Sequence, residues 1–266
     1  MQDLKILCFQ SELSWENPEK NRELFNIQIS NHCEGHDLII LPETFTTGFP
    51  VDPSRFAEKP DGKSMQWMAG IAKKTGTVLT GSLLLDDGGK YFNSLIWMRP
   101  DGTYERYDKR HVFTMGGEHE KITAGNKQLT VELKGWKIRP MVCYDLRFPV
   151  WCKNSLDAQG NFEYDLAIFI ANWPNVRSYP WEQLLIARAI ENQAYLIGVN
   201  RMGFDGPGNY YSGDSMVIDP KGKVIAKGEE GKERAINEVL YYSKLVSFRE
   251  KFNVGLDWDN FKIRGL

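Results

Sequence analysis

Cysteine is scarce in this chain, and the few cysteines are not paired in the sequence. Its 266 residues include only four, and none of them is spaced as Cys-x-x-Cys. The sequence therefore lacks both the disulfide framework of a small secreted protein and a recognisable zinc site. An excess of one charge is lacking too, since 33 basic residues balance 35 acidic ones. We expect no binding to nucleic acid or to an anionic membrane, and small molecules or another protein as partners.

Long hydrophobic runs are also absent. No apolar stretch approaches the roughly 18 residues that a membrane-spanning helix needs. The first residues lead straight into a strand-like segment, without a charged and then apolar leader. We therefore expect a cytoplasmic protein with no membrane contact. The four histidines show neither the spacing of metal ligands nor that of Cys-His pairs, so we expect no metal and no cofactor.

Short buried strands alternate with helices along the chain, which indicates an α/β fold. Residues 4–10 and 37–41 are apolar runs of strand length. Between them, Asn17 and Pro18 place a capping side chain before a proline at the first helical position. Continuous apolar strands of this kind are typical of a sheet that is covered on both faces.

The second half of the chain repeats this pattern. Residues 165–170 repeat the aspartate-led apolar run of 37–41, and the hairpin at 215–224 resembles the one at 95–104. We predict two pseudo-equivalent halves whose sheets face each other with helices outside, a four-layer α-β-β-α sandwich. No Pro/Ser-rich linker or block of charge divides the sequence. We therefore expect one domain over 1–266, with a C-terminal helix and tail from about residue 241.

Three chemically useful side chains follow predicted strands. Glu43, Lys109 and Cys143 each stand at the C-terminal end of one, where ligands collect in open α/β sheets. Cys143 also precedes a predicted helix at 147–156, whose free N–H groups would stabilise a thiolate. Taken singly, each residue has a plainer interpretation, as a loop acid, a solvated base or a small buried hydrophobe.

Several stretches together decide between these interpretations. They are Leu-Pro-Glu-Thr-Phe at 41–45, Tyr-Asp-Lys-Arg-His at 107–111, Val-Cys-Tyr-Asp-Leu-Arg-Phe-Pro at 142–149, Ala-Asn-Trp-Pro at 171–174 and Ala-Arg-Ala-Ile-Glu-Asn-Gln at 187–193. In these stretches, and over nearly its whole length, the chain resembles the nitrilase superfamily of carbon-nitrogen hydrolases. Residues 172–174, 187–193 and 198–201 look most like its omega-amidase branch, whose members remove the terminal amide of 2-oxoglutaramate and related 2-oxo acid monoamides.

The resemblance implies a role for each matching residue. Cys143 would be the nucleophile that forms a thioester, and Glu43 would be the base that shuttles its proton. Lys109 and the backbone N–H of Tyr144 would hold the oxyanion of the tetrahedral intermediate. Glu118 would position Lys109 and the substrate amide, although a solvated loop acid is the plainer interpretation of it. A homodimer is implied as well.

The carboxylate of such a substrate needs a cationic anchor. Arg177 is the better candidate and Arg147 the other, although Arg147 has an equal alternative as a structural ion-pair partner. Other functions remain open at this point: a nitrile or N-carbamoyl hydrolase with the same catalytic residues, a non-catalytic binding module, and a redox protein that uses Cys143 and Cys152. The last requires the two sulfurs to lie within disulfide reach.

Overall fold

The computed structural model describes residues 2–32, 34–50 and 52–263, so Cys33 lies outside the described part. Its strands are β1 (Leu4–Gln10), β2 (Leu38–Ile40), β3 (Val78–Asp87), β4 (Lys90–Met98), β5 (Tyr104–Asp108), β6 (Val131–Leu133), β7 (Trp136–Val142), β8 (Leu166–Ala171), β9 (Tyr195–Asn200), β10 (Met202–Phe204), β11 (Tyr210–Ser212), β12 (Met216–Ile218), β13 (Val224–Lys227) and β14 (Arg234–Leu240). Its α-helices are α1 (Pro18–His32), α2 (Lys63–Thr75), α3 (Pro149–Cys152), α4 (Ser178–Asn192) and α5 (Tyr242–Lys251). Across these ranges, no helix combines the length and apolar character needed to cross a bilayer.

Two six-stranded sheets form the centre of the molecule, with the orders β14-β1-β2-β3-β4-β5 and β13-β12-β9-β8-β7-β6. Each contains three neighbouring parallel strands, β1 to β3 in the first sheet and β7 to β9 in the second. Two antiparallel strands extend one side of each sheet, and one antiparallel strand closes the other side. The predicted equivalence of the two halves is therefore present in the strand order.

The side chains of β1 show how the layers stack. Ile6 and Cys8 pack in a core that is shared with the second sheet. Leu7 and Phe9, on the opposite face, pack with side chains of α1 and α2, as the two-residue period of a strand requires. Helix α4 adds Leu185 to the core on the second sheet. The layers are thus helix, sheet, sheet and helix, which confirms the four-layer α-β-β-α sandwich.

The helix predicted at 147–156 is wrong in extent, because α3 covers only Pro149–Cys152. The amide groups of Asn154 explain where it ends. Its backbone N–H donates to the side chain of Asn192 (2.8 Å), and its Nδ2 donates to the carbonyl oxygens of Tyr164 (2.9 Å) and Asn192 (3.1 Å). These tertiary hydrogen bonds compete with continuation of the helix and draw the chain away towards β8.

The C-terminal helix, predicted from about residue 241, contacts the body through several side chains, among them one buried arginine. In α5, the guanidinium of Arg249 forms an ion pair with Asp165 (2.6 Å) and donates to the carbonyl oxygens of Gln193 and Tyr164 (2.9 Å each). Asp165 stands directly before β8 and is buried. This contact therefore joins the end of the chain to the central strands of the second sheet.

We expect Arg249→Met to lower the free energy of unfolding by about 3–5 kcal/mol, because it leaves the Asp165 carboxylate buried without its partner. Urea denaturation would measure the change. Lys251→Met, at an exposed position of the same helix, is the matched control and should stay within about 0.5 kcal/mol of the parent. Equal effects of the two substitutions would show that the ion pair does not hold the helix.

Candidate active site

Glu43, Lys109 and Cys143 line one cavity of about 440 Å³. Glu43 follows β2 and Lys109 follows β5 in the first sheet, while Cys143 follows β7 in the second. The cavity therefore lies at the carboxyl ends of strands from both sheets, which is where an α/β protein usually binds its ligand. The structure thus brings together the three residues that the sequence singles out.

The Lys109 ammonium lies between two carboxylates. Its Nζ is 3.0 Å from Oε1 of Glu43 and 2.9 Å from Oε2 of Glu118, and all three side chains are buried. Burial alone would lower the pKa of Lys109, but the charges of Glu118 and Glu43 outweigh it and raise that pKa. Lys109 therefore carries a positive charge inside the protein at neutral pH.

Glu118 is not a solvated loop acid, because it is only 5% exposed. It lies in the irregular segment after β5, and the backbone N–H of Phe113 donates to its Oε2. Burial raises the pKa of the Glu118 carboxyl, and the neighbouring Lys109 ammonium opposes that rise. This segment thus turns back on itself to place a second carboxylate against Lys109.

The carboxylate of Glu43 accepts four hydrogen bonds. Oε1 accepts from Nδ2 of Asn93 (2.8 Å) and from Nζ of Lys109 (3.0 Å), while Oε2 accepts from the backbone N–H (2.7 Å) and Nδ2 (3.3 Å) of Asn172. Both oxygens are therefore held in place. Sequence reasoning assigned no role to either asparagine. Asn172 follows β8 and could have been found by the strand-end rule, whereas Asn93 lies inside β4.

Cys143 adopts a left-handed backbone conformation, with φ of 46°. Residues with a side chain rarely adopt it, and the strain is typical of functional positions. The residue begins a 3-10 helix over Cys143–Arg147, so the helix expected to stabilise a thiolate is a single short turn. The amide of Tyr144 belongs to the first turn, where N–H groups have no acceptor within the helix. That N–H is therefore available to a ligand in the cavity.

The thiol of Cys143 is protonated at neutral pH. Burial raises its pKa well above the ordinary value, the Glu43 carboxylate raises it further, and the Lys109 ammonium opposes both. Lys109 acts in the expected direction, but its effect is too small to dominate. A thiolate at this position therefore requires a base that removes the proton as the thiol reacts.

Asp145 joins the strand ends that carry Lys109 and Cys143. Its buried carboxylate accepts hydrogen bonds from the hydroxyl of Tyr107 (2.7 Å), the backbone N–H of His111 (2.9 Å) and the backbone N–H of Val142 (3.1 Å). Tyr107 belongs to β5 in the first sheet and Val142 to β7 in the second. The relative position of the ammonium and the thiol is thereby fixed across the two sheets.

Arg147 and Arg177 line the same cavity. The guanidinium of Arg147 lies 4.8 Å from the ring centre of Trp173, and that of Arg177 lies 5.5 Å from the ring centre of Phe113. Within the described ranges, no carboxylate is at ion-pair distance from either guanidinium. The interpretation of Arg147 as a structural ion-pair partner is therefore wrong, and both cations are available to an anionic ligand.

The two cysteines near this site have separate surroundings. The Cys143 thiol is 3.9 Å from the carbonyl oxygen of Asn172, whereas the Cys152 thiol donates to the carbonyl oxygen of Asp145 at 3.2 Å. Both are free thiols, which gives no support to a redox pair. In the part of the chain that the structure describes, no three His, Cys, Asp or Glu side chains converge as metal ligands do.

Comparison with known proteins agrees with the fold. Residues 8–242 match the carbon-nitrogen hydrolase family. The chain is 42% identical to omega-amidase YafV of Escherichia coli (strain K12) over 263 residues, which cover 99% of this chain and 100% of that protein. It is 35% identical to the 2-oxoglutaramate amidase of Bacillus subtilis (strain 168) over 236 residues, 86% of this chain and 89% of that protein.

A solved structure shows the same similarity. The crystal structure of a CN-hydrolase superfamily protein from Xanthomonas campestris, which carries an arsenic adduct in its active site, superposes with a TM-score of 0.96 at 42% identity. The superposition covers 99% of this chain and 100% of that one. The chain therefore belongs to the carbon-nitrogen hydrolase family of the nitrilase superfamily, and it is an enzyme that hydrolyses carbon-nitrogen bonds.

Proposed function

We propose that this enzyme removes the terminal amide of 2-oxoglutaramate and related 2-oxo acid monoamides, releasing ammonia and the 2-oxo diacid. One observation carries the proposal: a single cavity holds a buried thiol, a carboxylate and an ammonium, together with two guanidinium groups that have no carboxylate partner in the described structure. The names of the two relatives, omega-amidase and 2-oxoglutaramate amidase, support the choice of substrate.

The reaction divides into two acyl transfers. In the first, Glu43 takes the proton of the Cys143 thiol while the sulfur attacks the amide carbonyl, and the same proton passes to the departing ammonia. A thioester between Cys143 and the acyl group remains. In the second, Glu43 takes a proton from water, the hydroxide attacks the thioester, and the proton returns to the sulfur. The raised pKa of Cys143 explains why the thiol needs this base.

Each transfer passes through a tetrahedral intermediate with a negative oxygen. Lys109 and the backbone N–H of Tyr144 are the proposed donors to this oxyanion. Glu118 holds the Lys109 ammonium from the side opposite Glu43, so the charge stays in place while Glu43 gains and loses its proton. We therefore assign to Glu118 the role of positioning Lys109 and the substrate amide.

The two arginines are the proposed anchor for the substrate carboxylate. Both line the cavity that contains Cys143, and a guanidinium binds a carboxylate through paired, charge-assisted hydrogen bonds. Aromatic rings of Trp173 and Phe113 lie against the two guanidinium groups and limit their movement. The anchor would hold one end of the substrate and leave the terminal amide at the thiol.

We also propose that residues 1–266 act as one domain in a cytoplasmic homodimer. The free thiols of Cys8, Cys143 and Cys152 suit a reducing compartment, and members of the superfamily usually associate through the helices that flank the sandwich. Light scattering after size-exclusion chromatography would test the dimer. A monomer at micromolar concentration would contradict it.

We expect Cys143→Ala to lower ammonia release from 2-oxoglutaramate by at least about 10⁴-fold, because no thioester can form. Cys152→Ala, which removes a fully buried thiol with different contacts, is the matched control and should retain most of the activity. Ammonia release that survives in Cys143→Ala would refute the nucleophile. A folded parent enzyme that releases no ammonia would refute the substrate, and a panel of nitriles and N-carbamoyl amines would follow.

We expect Arg177→Leu and Arg147→Leu each to raise the KM for 2-oxoglutaramate by about 10- to 100-fold, because each removes a charge-assisted hydrogen bond worth about 1.5–3 kcal/mol. The kcat should change little if the contact is equal in ground and transition states. A neutral amide of similar length serves as control, since its KM should not respond to either substitution. Equal effects on both substrates would contradict a carboxylate anchor.

A further inference from the structure

We propose that Asn93 positions the base of this site and anchors the end of β5, which Lys109 directly follows. Its side-chain Nδ2 donates to Oε1 of Glu43 at 2.8 Å, and its backbone carbonyl accepts from the backbone N–H of Lys109 at 2.9 Å. One residue thus contacts two members of the catalytic set, with two different groups. The inference rests on the proposed roles of Glu43 and Lys109.

The orientation of the Asn93 amide favours its donor at the expense of its acceptor. The side chain is 1% exposed, and its Oδ1 has no hydrogen-bond partner among the described residues. Leaving a buried carbonyl oxygen unpaired lowers the stability of the folded state. Rotating the amide would direct that oxygen at the Glu43 carboxylate, which is worse. This orientation of the amide makes the folded state less stable. Fold stability alone therefore does not explain why an asparagine stands at this position.

The backbone that carries Asn93 is rigid. It lies in β4, where it stands opposite Leu84 of β3, while the next residue, Ser94, stands opposite Asp108 of β5. A side chain that projects from a strand with neighbours on both sides is held more accurately than one on a loop. Asn93 is not part of the cavity wall, so its effect on the reaction has to pass through Glu43 and Lys109.

Asn93 and Asn172 hold opposite oxygens of the same carboxylate. Asn93 donates to Oε1 of Glu43 and Asn172 donates to Oε2, so rotation of the carboxylate would break a hydrogen bond on each side. Loss of the Asn93 donor should therefore release the Glu43 carboxylate from its position.

The test uses Asn93→Leu and Asn93→Ala, which both remove the donor and add no charge beside Glu43. Two rates are measured at neutral pH in each variant: alkylation of Cys143 by iodoacetamide and ammonia release from 2-oxoglutaramate. Alkylation reports the base and the thiol without the natural substrate. Thr80→Val is the matched control, because Thr80 is a buried polar residue of the adjacent β3 whose hydroxyl has no hydrogen-bond partner in the described structure.

We expect both Asn93 variants to lower the rate at which iodoacetamide alkylates Cys143, because the base that takes the thiol proton is no longer held in position. We expect kcat for ammonia release to fall by about 10²-fold, as for a misplaced catalytic group, with KM changed by less than about threefold. Thr80→Val should match the parent in both assays. If Asn93→Leu fails to fold, Asn93→Ala decides the question alone.

The outcomes separate this inference from the proposed function. An alkylation rate equal to that of the parent in a folded Asn93 variant would overturn the role of Asn93, whatever the ammonia assay shows. A lower alkylation rate would support that role even if the parent enzyme released no ammonia from 2-oxoglutaramate, a result that would refute only the substrate. A purely structural role for Asn93 predicts lower stability in both variants with an unchanged alkylation rate.

Discussion

The rest of the site depends on one buried positive charge, the Lys109 ammonium between Glu43 and Glu118. Moving an ammonium or a carboxylate out of water costs several kcal/mol, which only well-placed opposite charges can offset. Each of the three groups is therefore tolerated inside the protein because of the others. Their mutual attraction also fixes the irregular segment after β5, since Glu118 has to return to Lys109 across it. The local structure of that segment and the electrostatics of the site are consequences of the same three charges.

The charged groups and the nucleophile come from different sheets. Glu43, Lys109 and Glu118 belong to the first half of the chain, whereas Cys143 and Asn172 belong to the second. Asn172 connects the two sheets by donating a hydrogen bond to Glu43. Asp145 connects them by accepting hydrogen bonds from residues of β5 and β7. The packing of one sheet on the other is thus also the assembly of the site. Small shifts between the sheets would change the distance between base and thiol.

The sequence predicts the part of this arrangement that follows from strand order. Apolar runs reveal the parallel strands, and Glu43 and Cys143 stand at the carboxyl ends of two of them. Lys109 follows the antiparallel β5, and the resemblance to the nitrilase superfamily is what selects all three residues. The strand-end rule does not identify Asn93, because this residue lies inside a strand. Its position beside Glu43 depends on how β4 aligns with β3 and β5. The helix predicted at 147–156 is too long for a similar reason. Asn154 forms hydrogen bonds with Asn192 and Tyr164, which are distant in the sequence, and not with its own helix. That Arg147 has no carboxylate partner in the described structure becomes visible only once its neighbours are in place.

The antiparallel pairing of β1 with β14 has a consequence for the synthesis of the chain. Leu4 to Gln10 pair with Leu240 to Arg234, so β1 acquires its second neighbour from a strand that is synthesised much later. Until then β1 is an unprotected sheet edge of largely apolar sequence, which is a template for aggregation. Contacts between residues so far apart in the chain also form slowly. The nascent first sheet therefore stays incomplete until β14 has been synthesised, and chains that terminate before β14 expose the edge permanently.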